Sequence, residues 1–270
     1  MTFHAYSQTI KRIYLNNGIV QQIPLNAIDS MTYVGGSIAR LHLHTGAVLQ
    51  IPFNTIDSVN FLFSSLQFGS VADIEGNTYN TIQIGDQIWM AENLRVSKFR
   101  NNSNITEFAD ALQWSGIYDN KSQTAAWCYY QNDPATNKAY GKLYNWYAVV
   151  NINGICPNGW HVPSDQEWTK LTDFLGGESV AAGKMKTVGT VYWNSPNQDA
   201  TNSSGFSALP GGLRYYFSSF DFISDFGTFW AATQDDAGRS WARYLSYEFA
   251  NVFRTSSIKE NAFSVRCVKD

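Results

Sequence analysis

The sequence predicts an α+β protein, and three features of the chain lead to this fold class. The segment SDQEWTKLTDFLGG opens with Ser164 and Glu167, which match the S-x-x-E capping box of a helix start. The segment NTYNTIQIGDQIWM places the turn-forming pair Gly85-Asp86 between apolar residues, as a β-hairpin does. The later segments GTFWAAT, SWARYLSYEF and AFSVRCVKD are rich in strand-forming residues and partly alternate in polarity.

Three helices are predicted in the central part of the chain. Residues 141–150 carry apolar side chains at helical spacing, namely Leu143, Trp146, Tyr147 and Val150. The helix after Ser164 has the clearest apolar stripe, formed by Trp168, Leu171, Phe174 and Leu175, and Gly176-Gly177 ends it. A short third helix is predicted in ESVAAGKMK. The loop at residues 194–212 is rich in Asn, Ser, Pro and Gly, and loops of this length are usually functional or disordered.

An internal repeat defines the N-terminal part of the chain. NGIVQQIPLNAIDSMTYV at residues 17–34 aligns with TGAVLQIPFNTIDSVNFL at residues 45–62. Each copy predicts a β-hairpin, a short turn at the shared Ile-Asp-Ser and a further strand, and together they predict one small antiparallel sheet. The boundary is placed within residues 64–71, which gives a β module at residues 1–68 and a second domain at residues 69–270.

Composition excludes several functional classes. Charged residues make up 15% of the chain, against about 25% in average proteins, and aromatic residues another 15%. The net charge is -3 and the basic residues form no cluster, so a nucleic-acid partner is not expected. No apolar run has the ~20 residues of a membrane span, so no transmembrane segment is expected. The many aromatic residues leave side chains available for a binding surface.

Three cysteines are present, at positions 128, 156 and 267. An odd number in an exported protein indicates one disulfide and one free thiol. No C-x-x-C motif occurs, which argues against zinc ribbons and thioredoxin-like chemistry.

Six segments in fixed order resemble the successive blocks of the Fibrobacter succinogenes major paralogous domain. They are IGDQIWMAENLR, GKLYNWYAV, ICPNGWHVPSDQEWTKL, GFSALPGGLR, GTFWAATQ and FSVRCVKD. The resemblance covers residues 73–270. It implies a C-type-lectin-like domain, related to formylglycine-generating enzymes, with two helices, a twisted antiparallel sheet and long loops, preceded here by the small β module.

The same resemblance carries expectations about covalent structure and location. It implies a disulfide between Cys156 and Cys267, which leaves Cys128 as a buried free thiol. Such a bond requires an oxidising compartment, so an extracellular or outer cell-surface location is expected. Members of the family are exported or carried on a lipid anchor, which would lie upstream of this sequence. They are often described as adhesins.

Ligand-contacting residues are predicted in two neighbouring segments, the aromatic run at residues 214–230 and the loop that begins at Trp193. The predicted contacts are Trp193, Asn197, Asp199, Tyr215, Tyr216 and Phe220. No cofactor is predicted, with calcium kept as a candidate because hard cations bind oxygen ligands. The candidate calcium ligands are Asp221, Asp225, Asp235 and Asp236. The sugar-binding triplets of C-type lectins are missing, so their calcium-dependent sugar site cannot be transferred.

A surface-exposed binding module is the function that these observations favour, with a glycan or a surface protein as its partner. A structural subunit of a surface assembly is the first alternative. An enzyme related to the formylglycine-generating oxidases is the second, and it is disfavoured because two of the three cysteines are assigned to a disulfide. For His161, Asp165 and Glu167, packing and helix capping are expected rather than catalysis.

Overall fold

A computed structural model of the chain describes residues 9–15, 20–24, 28–34, 38–43, 48–52, 56–63 and 68–270. The chain divides into two compact units, Met1–Ser65 and Leu66–Asp270. The first strand of the second unit, Phe68–Ala72, begins within the segment in which the sequence places the domain boundary.

The described residues of the first unit form six strands in two sheets of three. In chain order the strands are β1 (Thr9–Leu15), β2 (Val20–Pro24), β3 (Ile28–Val34), β4 (Ile38–Leu43), β5 (Val48–Pro52) and β6 (Ile56–Phe63). One sheet has the order β2-β1-β6 and the other β3-β4-β5, and all pairings are antiparallel.

The prediction of a single sheet with an Ile-Asp-Ser turn is therefore wrong. Ile28 and Ile56, which begin the two Ile-Asp-Ser motifs, begin β3 and β6 instead of turns. Each repeat supplies a hairpin and a third strand, and the third strand completes the sheet of the other repeat. Strand β6 pairs with β1, and β3 pairs with β4, so the two copies interlock.

Two five-stranded sheets form most of the second unit. The first comprises β7 (Phe68–Ala72), β8 (Thr78–Ile84), β9 (Gln87–Met90), β13 (Trp160–His161) and β19 (Val268–Lys269), in the order β13-β19-β9-β8-β7. The predicted hairpin is confirmed, because Gly85 and Asp86 join β8 to β9 with Ile84 paired to Gln87. Gly85 has a φ of 64°, a conformation that favours glycine.

The second sheet contains the longest strands of the unit. Its members are β14 (Gly211–Arg214), β15 (Phe220–Ile223), β16 (Phe226–Gln234), β17 (Arg239–Ser246) and β18 (Val252–Ile258), in the order β15-β14-β16-β17-β18. A smaller sheet combines β10 (Thr106–Glu107), β11 (Ala126–Cys128) and β12 (Leu143–Tyr144).

The helices of the second unit are short. They are α1 (Ala111–Asp119), α2 (Pro134–Tyr140), α3 (Trp146–Val149), α4 (Asp165–Phe174) and α5 (Glu178–Met185). The capping box is confirmed, since Ser164 and Glu167 bond each other's backbone at the start of α4. Across the parts of the chain that are described, no helix has the length and apolar character that a membrane crossing requires.

The predicted α+β, C-type-lectin-like fold is wrong. The unit is mostly β, with two curled sheets whose arrangement is closer to a β-sandwich. The helix expected at residues 141–150 shrinks to the four residues of α3. Its first part becomes β12, because Leu143 pairs with Cys128, and the Asn145 side chain caps the new helix start by accepting from the Ala148 amide.

The disulfide between Cys156 and Cys267 is confirmed, with sulfurs 2.00 Å apart. It joins the segment before β13 to the segment before β19, within the core cluster that also holds Trp160 and Val265. Cys128 is buried and free, as expected. Burial raises the pKa of the Cys128 thiol to about 12, although the nearby Arg214 guanidinium lowers it in part.

Candidate binding surface

The structure places Trp193 in the core instead of on the surface. Its side chain is 1% exposed and packs in the cluster beneath α4 and α5. The indole Nε1 donates to the Thr187 hydroxyl at 3.1 Å and to the Ala208 carbonyl at 3.2 Å. An indole with its ring and its N–H both used in this way cannot form a platform for a ligand, which corrects the sequence-based assignment.

Asn197 and Asp199 hold the shape of the loop that follows Trp193. The Asn197 amide is buried and donates to the carbonyls of Thr187 and Gly189 at 2.9 and 2.7 Å. Asp199 is exposed, and its carboxylate accepts from the Gln198 side chain at 2.8 Å. Both residues have left-handed backbone, with φ of 47° and 55°. These contacts are those of loop-forming Asn and Asp residues.

Tyr215 and Tyr216 lie on the surface in a group of four rings that we call the tip cluster, formed by Tyr118, Tyr215, Tyr216 and Phe217. The Tyr215 and Phe217 rings stack at 5.0 Å, and Tyr118 packs on Tyr216 at 4.5 Å. Phe217 is 55% exposed. The cluster sits on the turn between β14 and β15, next to the end of α1.

Phe220 belongs to the support of this turn. Its ring lies 4.8 Å from the guanidinium carbon of Arg214 and 5.4 Å from the Tyr130 ring. Arg214 is fully buried and donates to the Phe108 carbonyl at 2.5 Å and to the Ser218 hydroxyl at 2.6 Å. Phe220 is half-buried against this cation, and the exposed rings of the tip cluster are those of Tyr118 and Phe217.

A longer row of rings crosses the second sheet, and the sequence analysis missed most of it. We call it the aromatic ladder; its members are Phe222, Phe226, Tyr244, Phe253 and Phe249. Successive ring centroids are 4.5, 5.4, 4.6 and 5.8 Å apart. Four of the rings are half-buried and Phe249 is 49% exposed. The ladder is an aromatic strip that is partly exposed to solvent along its length.

Strand pairing explains why these rings meet. Tyr244 and Phe253 are direct partners in the antiparallel register of β17 and β18, so their rings stack with an angle of 10°. Phe226 is the diagonal neighbour, because Thr228 is the residue opposite Tyr244. The ladder residues are scattered over 32 positions of the chain, and the sequence gives no register that would bring them together.

The four candidate calcium ligands lie at the two ends of β16. Asp221 and Asp225 are near its start, and Asp225 accepts from the Asn194 amide at 2.8 Å. Asp235 and Asp236 follow its end, where Asp236 accepts from the Gly238 and Arg239 amides. A nine-residue strand is roughly 30 Å long, so the two pairs cannot share one cation. No group of three or more His, Cys, Asp or Glu within the described ranges is arranged to hold a metal ion.

His161 is held between two carboxylates. Its Nδ1 lies 2.6 Å from Asp270 and its Nε2 lies 2.8 Å from Glu167. Burial alone would lower the pKa of His161, but the two hydrogen-bonded carboxylates outweigh it and raise the pKa above the usual 6.5. Glu167 also accepts from the Ser164 amide and hydroxyl. The imidazole thus links β13, α4 and Asp270.

Asp165, the other carboxylate at the start of α4, is engaged by two arginines. Arg243 donates at 2.7 Å and Arg254 at 2.9 Å. Burial raises the pKa of Asp165, and the hydrogen bonds from Arg254 and Arg243 reverse the shift so that the pKa is lowered. The donors to Asp165 and Glu167 thus lower the pKa of both carboxyl groups in the capping turn of α4.

Residues of this unit match a known protein family. The model described as the Fibrobacter succinogenes major domain matches residues 82–269. The chain belongs to this family. No curated protein and no solved structure matched the chain.

The match to the Fibrobacter succinogenes major domain covers the features described above. It includes both cysteines of the disulfide, the tip cluster and the whole aromatic ladder. All nine tryptophans of the chain also lie within it, the first being Trp89 and the last Trp241. The interlocked β repeats of the first unit lie outside the matched residues.

Buried cations are a second feature of this major domain that sequence reasoning missed. Arg266 donates to the carbonyls of Met90, Phe206 and Ser207. Lys186 donates to the Ser246 and Phe249 carbonyls, and burial lowers the pKa of Lys186 to about 8. The bond from Lys186 to the Phe249 carbonyl fixes the backbone at the end of the aromatic ladder. Such cations supply several donors to backbone carbonyls in loops and at strand ends.

Proposed function

We propose that the second unit is a non-catalytic binding module of an exported bacterial surface protein, and that it holds a glycan or a surface protein against the aromatic ladder. The observation that carries the proposal is the ladder itself. Apolar strips of this kind are uncommon on a protein surface without a binding role, and aromatic residues are enriched where proteins make contact.

Export is supported by the covalent structure. A disulfide that closes a loop of 111 residues persists in an oxidising compartment and is rare in the cytosol. Family membership adds to this argument, since the resemblance implies surface proteins. A lipid anchor belongs to the same proposal.

The non-catalytic part of the proposal rests on how the titratable groups are used. His161 and Glu167 are bonded to each other, and Asp165 is bonded to two arginines. Cys156 and Cys267 are joined, and Cys128 is buried with a raised pKa. An oxidase of the formylglycine-generating type would need a pair of reactive cysteines. Here two of the three are consumed by the disulfide and the third is buried as a neutral thiol.

The test is binding by the full chain to a neutral-glycan array and to purified outer-membrane proteins. Phe249→Ser and Phe253→Ser should weaken binding at least ten-fold, as expected for aromatic residues at the centre of a contact. Phe217→Ser, in the tip cluster, is the matched control because the exposure of Phe217 is similar to that of Phe249. Absence of binding to both panels, or loss with Phe217→Ser and not with the ladder variants, would contradict the proposal.

A further inference from the structure

The small sheet of β10, β11 and β12 carries a second group of side chains, none of which belongs to the aromatic ladder. Glu107 pairs with Trp127 in the parallel register of β10 and β11, so the two side chains lie on the same face. Tyr129 is two residues beyond Trp127 in extended backbone and returns to that face. Lys142 precedes Leu143, the partner of Cys128, and therefore lies beside Tyr129. We call these four residues the acid-lysine site.

Lys142 is the unusual member of the site. It is only 6% exposed, and its Nζ lies 3.9 Å from the centroid of the Trp127 ring and 5.8 Å from that of Tyr129. An ammonium has three donors. Within the described part of the chain no oxygen accepts a hydrogen bond from this Nζ, and no carboxylate forms an ion pair with it.

The other two buried lysines have the hydrogen-bond acceptors that a buried ammonium normally has. Lys186 donates to two carbonyls, and Lys259 donates to the Gln234 side chain and to two carbonyls, at 2.8 to 3.1 Å. Burying a charged group without acceptors is costly. Aromatic rings lie beside the ammonium of all three lysines. Lys142 differs from its two counterparts in having no acceptors, so its donors are free for an external ligand.

Carboxylates surround the lysine without bonding to it. Glu107 is exposed, and Glu75 is held 2.5 and 2.6 Å from the amide and hydroxyl of Ser97. Burial lowers the pKa of Lys142, and the charges of Glu75 and Glu107 partly oppose that shift. The pairing of Glu107 with Trp127 places Glu107 on the face of the sheet that the Lys142 ammonium occupies.

We infer that the acid-lysine site binds one unit of a neutral saccharide, with Lys142 donating to a ring or hydroxyl oxygen, Glu107 accepting from a neighbouring hydroxyl, and Tyr129 covering the apolar side of the sugar. A hydroxyl both donates and accepts, so adjacent hydroxyls match a lysine beside a carboxylate. An anionic ligand would be repelled by Glu75 and Glu107. A cationic group such as an ammonium has no acceptor to offer the Lys142 donors, whereas a hydroxyl does. The site goes beyond the proposed function because it shares no residue with the ladder.

The experiment measures binding of neutral methyl glycosides to the full chain by saturation-transfer NMR, with methyl glucuronide as the anionic comparison. Lys142→Met keeps the stem that covers Trp127 and removes the donors, and Glu107→Gln removes the charge of an exposed side chain. Each should weaken glycoside binding about ten-fold or more, in line with hydrogen bonds to charged groups. Glu248→Gln, an exposed carboxylate outside the site, should leave the affinity unchanged.

A stability measurement separates a ligand role from a structural one. Lys259→Met removes a lysine with three acceptors and should lower the denaturation midpoint clearly, whereas Lys142→Met should lower it much less. Equal losses would identify Lys142 as a structural cation and overturn the inference. Glycoside binding that is unchanged in both Lys142→Met and Glu107→Gln would also overturn it, as would stronger binding of the glucuronide or no glycoside binding at all.

The ladder variants keep the two proposals distinguishable. Phe253→Ser should retain glycoside binding at the acid-lysine site even where it loses the larger ligand. Glycoside binding that is lost in Phe253→Ser and retained in Lys142→Met would support the ladder and refute the site.

Discussion

Replacement of Arg266 by Met should destabilise the second unit by roughly 3–5 kcal/mol, because four acceptors lose their buried donor. Arg266 is fully buried and donates to the Asn93 side chain at 2.7 Å and to the carbonyls of Met90, Phe206 and Ser207 at 2.9, 2.5 and 2.8 Å. Each acceptor left without a donor costs about 1–3 kcal/mol. The desolvation of the guanidinium, which lowers the pKa of Arg266 to about 9, offsets part of that sum.

Denaturant unfolding followed by tryptophan fluorescence measures this loss in the relevant unit, because all nine tryptophans lie between residues 89 and 241. Trp89 and Trp168 both pack on Phe206, whose ring lies 4.5 Å from the Arg266 guanidinium carbon. Arg239→Met is the matched control: Arg239 is exposed, and its loss should change stability by no more than about 0.5 kcal/mol. A value for Arg266→Met within about 1 kcal/mol of the wild type would refute the reasoning.

Three further predictions concern the covalent and electrostatic links of the same unit. Replacing Cys156 and Cys267 together by serine should lower the free energy of unfolding by about 5 kcal/mol, the chain-entropy value for a 111-residue loop. Denaturant unfolding measures the loss, with Cys128→Ser as the control. A loss under about 1 kcal/mol would contradict the chain-entropy account. His161→Gln should destabilise the protein most at acid pH, because the pKa of His161 is raised in the folded state. The stability that the charged imidazole contributes is complete below the unfolded pKa of about 6.5 and is lost as pH rises through the folded pKa. Unfolding at pH 5.5 and 9 tests this, and an equal loss at both values would exclude a charge contribution. Ser164→Ala should cost about 1 kcal/mol by removing the cap of α4, and an unchanged midpoint would show that the Glu167 side chain suffices alone.

Local signals in the sequence were reliable where one short segment contains all the interacting groups. The capping box of Ser164 and Glu167, the two-residue turn at Gly85-Asp86 and the helix at residues 178–185 needed only neighbours in the chain. The Cys156–Cys267 disulfide came from family resemblance, since three cysteines alone allow three pairings. The helix expected at residues 141–150 failed because the pairing of Leu143 with Cys128 competes with helical hydrogen bonds.

The candidate site was predictable only in part. The sequence located an aromatic-rich region, and Tyr215 and Tyr216 do lie on the surface. It could not distinguish these rings from Trp193, because the loop around Trp193 has the same polar composition as an exposed loop. In the structure Trp193 is buried, and its indole N–H donates to the Ala208 carbonyl. The aromatic ladder was missed because its register joins β16, β17 and β18, and the acid-lysine site because Lys142 is unusual only by comparison with Lys186 and Lys259.

By itself, then, the sequence determined the family, the disulfide partners that the family implies, the strong local helix and hairpin, and an aromatic, weakly charged composition suited to a surface. The tertiary structure alone decided that the domain is two curled β-sheets and not a lectin-like α+β fold, which rings reach solvent and which cations lack acceptors. The physical reason is that burial and hydrogen-bond satisfaction are properties of groups brought together from distant parts of the chain. Arg266 finds its acceptors about 60 and 175 residues away, and no local pattern records such a contact.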